Sequence, residues 1–130
     1  MATLTSVVKV TDFILKTPVL AKAFVPLGKL FCEYAGYRQM GLRFDDLIAE
    51  ESDVMQTAIR RLPPSESYAR NFRMLTAHQC SFTHHLLPAS KQLKAEDDIP
   101  YLTPYILEAE AEAAERELLD NIVVTPKAAK

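Results

Sequence analysis

The placement of proline constrains this chain more than any other feature. Pro18, Pro63, Pro64, Pro88, Pro100 and Pro104 cut it into stretches through which no helix runs unbroken, because proline lacks a backbone N–H and its ring clashes with the preceding turn. The segments between them carry helical signals. One helix is predicted from about Ser6 to Lys16, and a second from Pro18 to Ala35, stopped at Gly36, a residue that adopts positive φ without strain. Gly41 to Ala49 reads as a turn and a short apolar-acidic segment. A third helix starts near Ser52 or Asp53, which can cap free N–H groups, ends before Pro63 and faces inward through Met55, Ile59 and Leu62. The fourth starts after Pro63-Pro64 with Ser65 as its cap and stops before Pro88. Tyr68, Phe72, Leu75, Gln79, Phe82 and Leu86 recur along it at spacings of 4, 3, 4, 3 and 4, a single packing stripe. On that reading Phe72→Asp buries an unpaired charge and unfolds the protein. The last helix lies between Pro100 and Asn121, capped by Asp98 or by Thr103 with Pro104 at its first position. No strand alternation and no internal repeat is present. The fold class expected is all-α: a small irregular bundle of about four to five helices with long proline-marked loops, extrinsic to the membrane.

At 130 residues the chain has the size of one domain, read as apolar and basic helices over 1–36, an acidic helical body over 41–121 and a flexible tail over 122–130. Its net charge of −2 argues against nucleic acid as a partner. That balance conceals an asymmetry. Residues 1–43 carry Lys9, Lys16, Lys22, Lys29, Arg38 and Arg43 against Asp12 and Glu33, a net +4, and the remainder carries −6. Two unlike neighbours, or an accident of surface charge, would each produce this. The most apolar stretch, Val19 to Cys32, is interrupted by Lys22, Pro26 and Lys29 and falls short of the ~20 apolar residues that cross a bilayer. Lys22, Pro26 and Lys29 share a helical face while Leu20, Phe24, Leu27 and Phe31 crowd the rest, as in a helix lying on a large apolar partner or a buried one. Residues 1–11 lack acid and are rich in Thr and Ser, a weak mitochondrial address without Arg, and no secretory signal is present.

The chemical candidates thin out under inspection. His78 and His85 share a face but stand two turns apart, too far for one metal ion, and no carboxylate interleaves at HExxH spacing. Cys32 and Cys80 have no redox partner pattern, and no phosphate-cradling or nucleophile motif occurs. Arg60 and Arg61 with Arg70 and Arg73 read as a basic patch, for lipid phosphate, an acidic partner or water alone. Glu108, Glu110, Glu112, Glu115 and Glu117 read as a solvated rod supported by Glu112–Arg116. Asp45, Asp46, Glu50, Glu51 and Asp53 place five carboxylates within nine residues; like charges this close raise one another's pKa and can hold a proton, or they dock on basic partners.

Five runs in fixed order bear a resemblance to a known family: Gly41 to Glu51 (GLRFDDLIAEE), Ala58 to Pro63 (AIRRLP), Glu66 to Arg70 (ESYAR), Thr83 to Pro88 (THHLLP) and Pro100 to Glu110 (PYLTPYILEAE). With Pro18-Val-Leu and Ala35-Gly-Tyr, they resemble the 14-kDa subunit family of ubiquinol–cytochrome c reductase, respiratory complex III, from about residue 10 to Asn121. The resemblance implies an all-helical, non-catalytic subunit, peripheral on the matrix side of the mitochondrial inner membrane. It implies no cofactor in this chain, since haems and the iron–sulfur cluster belong to partner subunits. The implied partners are cytochrome b, the small single-span subunit 8 and the core subunits, and the implied role is in assembly and stability; phospholipid is a further candidate contact, suggested by the basic residues and not by the resemblance. It also places the end of the acidic motif near proton uptake for quinone reduction, with Glu51 first and Glu50 and Asp46 behind it. Lys9, Lys16, Lys22, Lys29, Arg60 and Arg61 are the candidate contacts to partner or lipid. The competing expectation is a free-standing small helical protein binding metal through its histidines and acids.

Overall fold

The computed structural model describes residues 3–122, so the expected tail over 123–130 lies outside the described residues. Five α-helices follow in order: α1 (Leu4–Lys16), α2 (Pro18–Tyr34), α3 (Asp53–Arg60), α4 (Pro64–Thr83) and α5 (Thr103–Asp120). Two short 3-10 turns, Tyr37–Met40 and Phe44–Leu47, lie between α2 and α3. No strand occurs among the described residues, and the chain is all-α as expected.

Local chemistry accounts for most boundaries. Thr3 caps α1 by accepting from the Ser6 N–H, and Ser52 caps α3 by accepting from the Met55 N–H. Pro18 opens α2, where its missing N–H costs nothing, whereas Pro26 sits inside that helix and leaves the Lys22 carbonyl without its usual donor. Gly36 and Gly41 both take left-handed φ, +74° and +80°. A Cβ on Gly41 would also stand 3.0 Å from the Leu87 side chain, which would have to shift slightly, so the positive φ is what makes glycine necessary at this turn.

Three boundaries differ from expectation. Ser65 does not cap α4, which starts at Pro64, and the helix ends at Thr83 instead of running to Pro88. His84 turns left-handed there (φ 55°), and the His85 N–H donates back to the Cys80 carbonyl, closing the end as glycine commonly does. At α5 neither Asp98 nor Thr103 is the cap. Leu102 holds that position with no side chain to offer, and a carboxylate from elsewhere in the chain takes over the role, as described below.

The core lies between α3 and α5. Met55, Ala58, Leu62, Leu102 and Ile106 are fully enclosed, and Leu4, Ile48, Val54, Ile59, Tyr101 and Tyr105 pack around them. The inward face of α3 is therefore Met55, Ala58 and Leu62, with Ile59 at its margin. The larger correction concerns α4. Its stripe does not pack on the body: Tyr68 is 77% exposed, Phe72 72%, Leu75 70%, Phe82 80% and Leu86 58%. The buried residues of α4 are Arg70 and Ala77, on the opposite side. The periodicity was read correctly as one face, but that face points outward and an arginine faces the interior.

Candidate functional site

An ionic node replaces apolar packing beneath α4. Asp46, on the second 3-10 turn, is buried and accepts from Arg73 Nε (2.7 Å) and Arg73 Nη2 (3.0 Å), from Arg70 Nη1 (3.3 Å), from Tyr101 Oη and from the Arg43 backbone N–H (2.9 Å). Arg70 Nη1 also donates to Tyr101 Oη (2.9 Å), and its other terminal nitrogen pairs with Glu50. Arg73 and Arg43 stack over the Tyr101 ring, and Arg43 pairs with Glu66. Burial alone would raise the Asp46 carboxyl, but the donors from Arg73, Tyr101 and Arg43 outweigh it and hold it below the usual range. Burial and the Asp46 charge together push the Tyr101 hydroxyl up, which keeps it a donor.

Its neighbour Asp45 serves a different helix. It is 1% exposed, and its carboxylate accepts from the backbone N–H groups of Leu102 (2.7 Å) and Thr103 (2.8 Å) and from the Thr103 hydroxyl (2.7 Å). It thus caps α5 from 58 residues away, satisfying donors that a helix start leaves free. Asp45→Ala is expected to cost roughly 2 kcal/mol, the upper range for a lost cap, because the freed donors are buried. Chemical denaturation of the purified chain measures it, and a loss within experimental error would mean that water substitutes for the carboxylate.

Two further carboxylates act at a distance. Asp98 accepts from the Tyr37 hydroxyl (2.6 Å), Arg38 Nε (2.9 Å) and the Phe44 N–H (2.9 Å), fastening the loop before α5 to the two 3-10 turns. Burial raises its carboxyl and these donors more than offset that. Glu110 on α5 accepts from the Leu4 and Thr5 N–H groups and the Thr5 hydroxyl, so it clasps the start of α1. Arg61 makes a two-pronged pair with Glu112, at 2.8 and 2.6 Å. The expected solvated rod is thus in part a set of ties, with Glu110 on α1 and Glu112 on Arg61. The expected basic patch is dispersed, because Arg70 and Arg73 point into the node and leave Arg60 exposed beside the paired Arg61.

The candidates for proton uptake lie at graded depth. Asp46 is enclosed in the node, Glu50 is half-buried against Arg70, and Glu51 is exposed and makes no ion pair among the described residues. Lys9, Lys16, Lys22 and Lys29 are all exposed along α1 and α2. His78, His84 and His85 are exposed too, and no three His, Cys, Asp or Glu side chains among the described residues converge to hold a metal ion. No helix of the described residues is long and apolar enough to cross a membrane. Sequence reasoning missed Arg70, Arg73 and Tyr101 as node residues and Tyr37 as a partner of Asp98. The available signal was Arg70 and Arg73 at i, i+3 on the side of the helix away from the stripe.

The family model for the ubiquinol-cytochrome C reductase complex 14kD subunit matches residues 18–117. Cytochrome b-c1 complex subunit 7 of Cyberlindnera jadinii is 65% identical over 124 residues, 95% of this chain and 98% of the relative. The Saccharomyces cerevisiae mitochondrial protein of that name is 58% identical over 121 residues, 93% and 95% of the two chains. That of Pongo abelii is 40% identical over 91 residues, 70% of this chain and 81% of the relative. With a family model over most of its length and relatives this similar almost end to end, the chain belongs to the 14-kDa subunit family of the ubiquinol–cytochrome c reductase complex, whose members are accessory subunits of that oxidoreductase and not its catalysts.

Proposed function

We propose that this chain is a peripheral, matrix-side subunit of complex III at the mitochondrial inner membrane, which supports assembly and stability by holding cytochrome b, the small single-span subunit 8 and the core subunits in register. The observation that carries this reading is the inversion of its surface. The stripe of α4 and most of α1 and α2 leave large apolar side chains in water, while Arg70, Asp45 and Asp46 are buried beside a small apolar core. A chain built this way is completed by neighbours. Its basic α1–α2 arm suits the membrane side of an assembly, and its acidic body suits soluble partners. A tagged chain, extracted from native membranes in mild detergent, is expected to co-migrate with a large haem-staining assembly on a native gel. A small species lacking haem would overturn the proposal.

Proton uptake toward the quinone-reduction site is the second part of the proposal, with Glu51 as the entry group and Glu50 and Asp46 behind it. Glu51 is the outermost of the three, and the two behind it already neutralise Arg70 and Arg73. Glu51→Gln keeps shape and removes the proton site, so turnover of the complex is expected to fall at least about twofold at normal abundance, a small part of what a positioned proton-transfer group can contribute. Loss of the assembled complex would assign Glu51 to docking, and unchanged turnover and abundance would remove both roles.

A further inference from the structure

Among the described residues, half of the exposed large hydrophobic side chains belong to the first two helices: Val7, Val10, Phe13, Leu15, Val19, Phe24, Val25, Leu27, Leu30, Phe31 and Tyr34. Neither helix buries a single residue among those described. α2 packs chiefly on α1, and α1 on α2 and α5, so the outer side of this two-helix arm faces open solvent.

Charge separates this surface from the stripe on α4. No Lys, Arg, Asp or Glu occurs from Met74 to Ser90, so the outer half of α4 is apolar and neutral. The arm instead carries Lys9 and Lys16 at i, i+7 on one face of α1, and Lys22 and Lys29 at i, i+7 on one face of α2. All four are exposed, and every ion pair among the described residues uses arginine, so none of these lysines is neutralised within the chain. Asp12 and Glu33 are the only acids on the two helices.

The arrangement around α2 adds direction. At 100° per residue, Val19, Leu30 and Tyr34 form an apolar arc that adjoins the row of Lys22 and Lys29, while the exposed Phe24, Leu27 and Phe31 continue it around the far side. Lysines edging an apolar arc can lie along a bilayer interface, with their stems on the acyl boundary and their ammonium groups on phosphate. A helix of 17 residues interrupted by Pro26, Lys22 and Lys29 can lie on a bilayer without crossing it.

We propose that the α1–α2 arm binds the surface of an anionic phospholipid bilayer, its apolar arc at the headgroup boundary and Lys9, Lys16, Lys22 and Lys29 on lipid phosphates. The proposal builds on the membrane-side placement above but is tested apart from it. The purified full chain is floated with vesicles of phosphatidylcholine, alone or with one-fifth phosphatidylglycerol, at low and at high salt. Binding to the anionic vesicles is expected to exceed binding to the neutral ones at least about hundredfold and to fall with salt. Each lysine contributes about fivefold, so Lys22→Gln with Lys29→Gln lowers binding roughly 25-fold and the four-lysine variant more than about 100-fold. These exposed substitutions leave the helical circular dichroism unchanged. Equal partition into both vesicle types, no binding to either, or a four-lysine variant that binds like wild type each overturns the proposal and leaves a protein as the sole occupant of the arm. Wild-type chain that enters the haem-bearing assembly but ignores anionic vesicles refutes the lipid contact alone. Chain absent from that assembly refutes the subunit reading whatever the vesicles show.

Discussion

Asp46→Asn is expected to unfold this protein at room temperature. The substitution removes one charge and almost no volume, yet it leaves Arg70 and Arg73 facing a neutral amide beneath α4. Breaking a buried pair from one side costs ~3–5 kcal/mol, because the remaining charge stays desolvated and unpaired. Here one carboxylate serves two guanidinium groups, and although Arg70 keeps its pair with Glu50, Arg73 is left with no carboxylate. The apolar core has little to set against the loss: among the described residues eight hydrophobic side chains are buried, three of them alanine, and small domains hold only ~5–15 kcal/mol in reserve. Urea denaturation followed by circular dichroism is the measurement, with loss of the cooperative transition as the expected result. Adding Arg73→Met is expected to restore part of the stability, since it removes an orphaned charge and keeps the stem that covers Tyr101. A destabilisation below about 1 kcal/mol would mean that water enters the node and that α4 is held by something else.

Phe72→Asp is expected to behave in the opposite manner to a core substitution. Phe72 is 72% exposed in the chain by itself. The isolated protein should lose no more than about 0.5–1 kcal/mol, the combined scale of a surface change and a weaker helix former. Incorporation into the complex should drop at least about thirtyfold, because a buried aromatic anchor at an interface is worth 2 kcal/mol or more. Denaturation of the free variant and native-gel quantification of its haem-bearing assembly separate the two effects. A variant that unfolds alone would return the stripe to the core. A variant that folds and assembles normally would leave the α4 face without a partner.

The contrast between these substitutions shows what the sequence could and could not convey. Prolines and capping residues marked the helices well: Pro18, Ser52 and Pro64 stand where α2, α3 and α4 begin or are capped. Periodicity also grouped Tyr68, Phe72, Leu75 and Phe82 on one face. It carried no information on direction, because an apolar stripe seeks the nearest apolar surface and that surface can belong to another chain. Arg70 and Arg73 on the far side were the only sign of inversion, and two arginines on a helix ordinarily mean a solvated face. Asp45 and Asp46 looked like one cluster of interacting acids. In space they face different helices, one capping α5 and the other holding α4, so their closeness in sequence created no shared proton site. Ties over such long separations, with Asp98 reaching Tyr37 and Glu110 reaching Thr5, follow from the folded path and leave no local pattern.

Glu110 also sets a timetable. The backbone N–H of Leu4 that it accepts lies 106 residues earlier in the chain. During synthesis or passage through a narrow channel, α1 emerges first, yet its anchoring carboxylate arrives almost last. Contacts this distant in sequence are slow to form, since the loop must be closed before they contribute. The arm therefore remains unclasped while the body between α3 and α5 takes shape, and the earliest-made helix becomes the final part to be fastened. A nascent chain interrupted before residue 110 has every residue of the arm and no means of holding it in place.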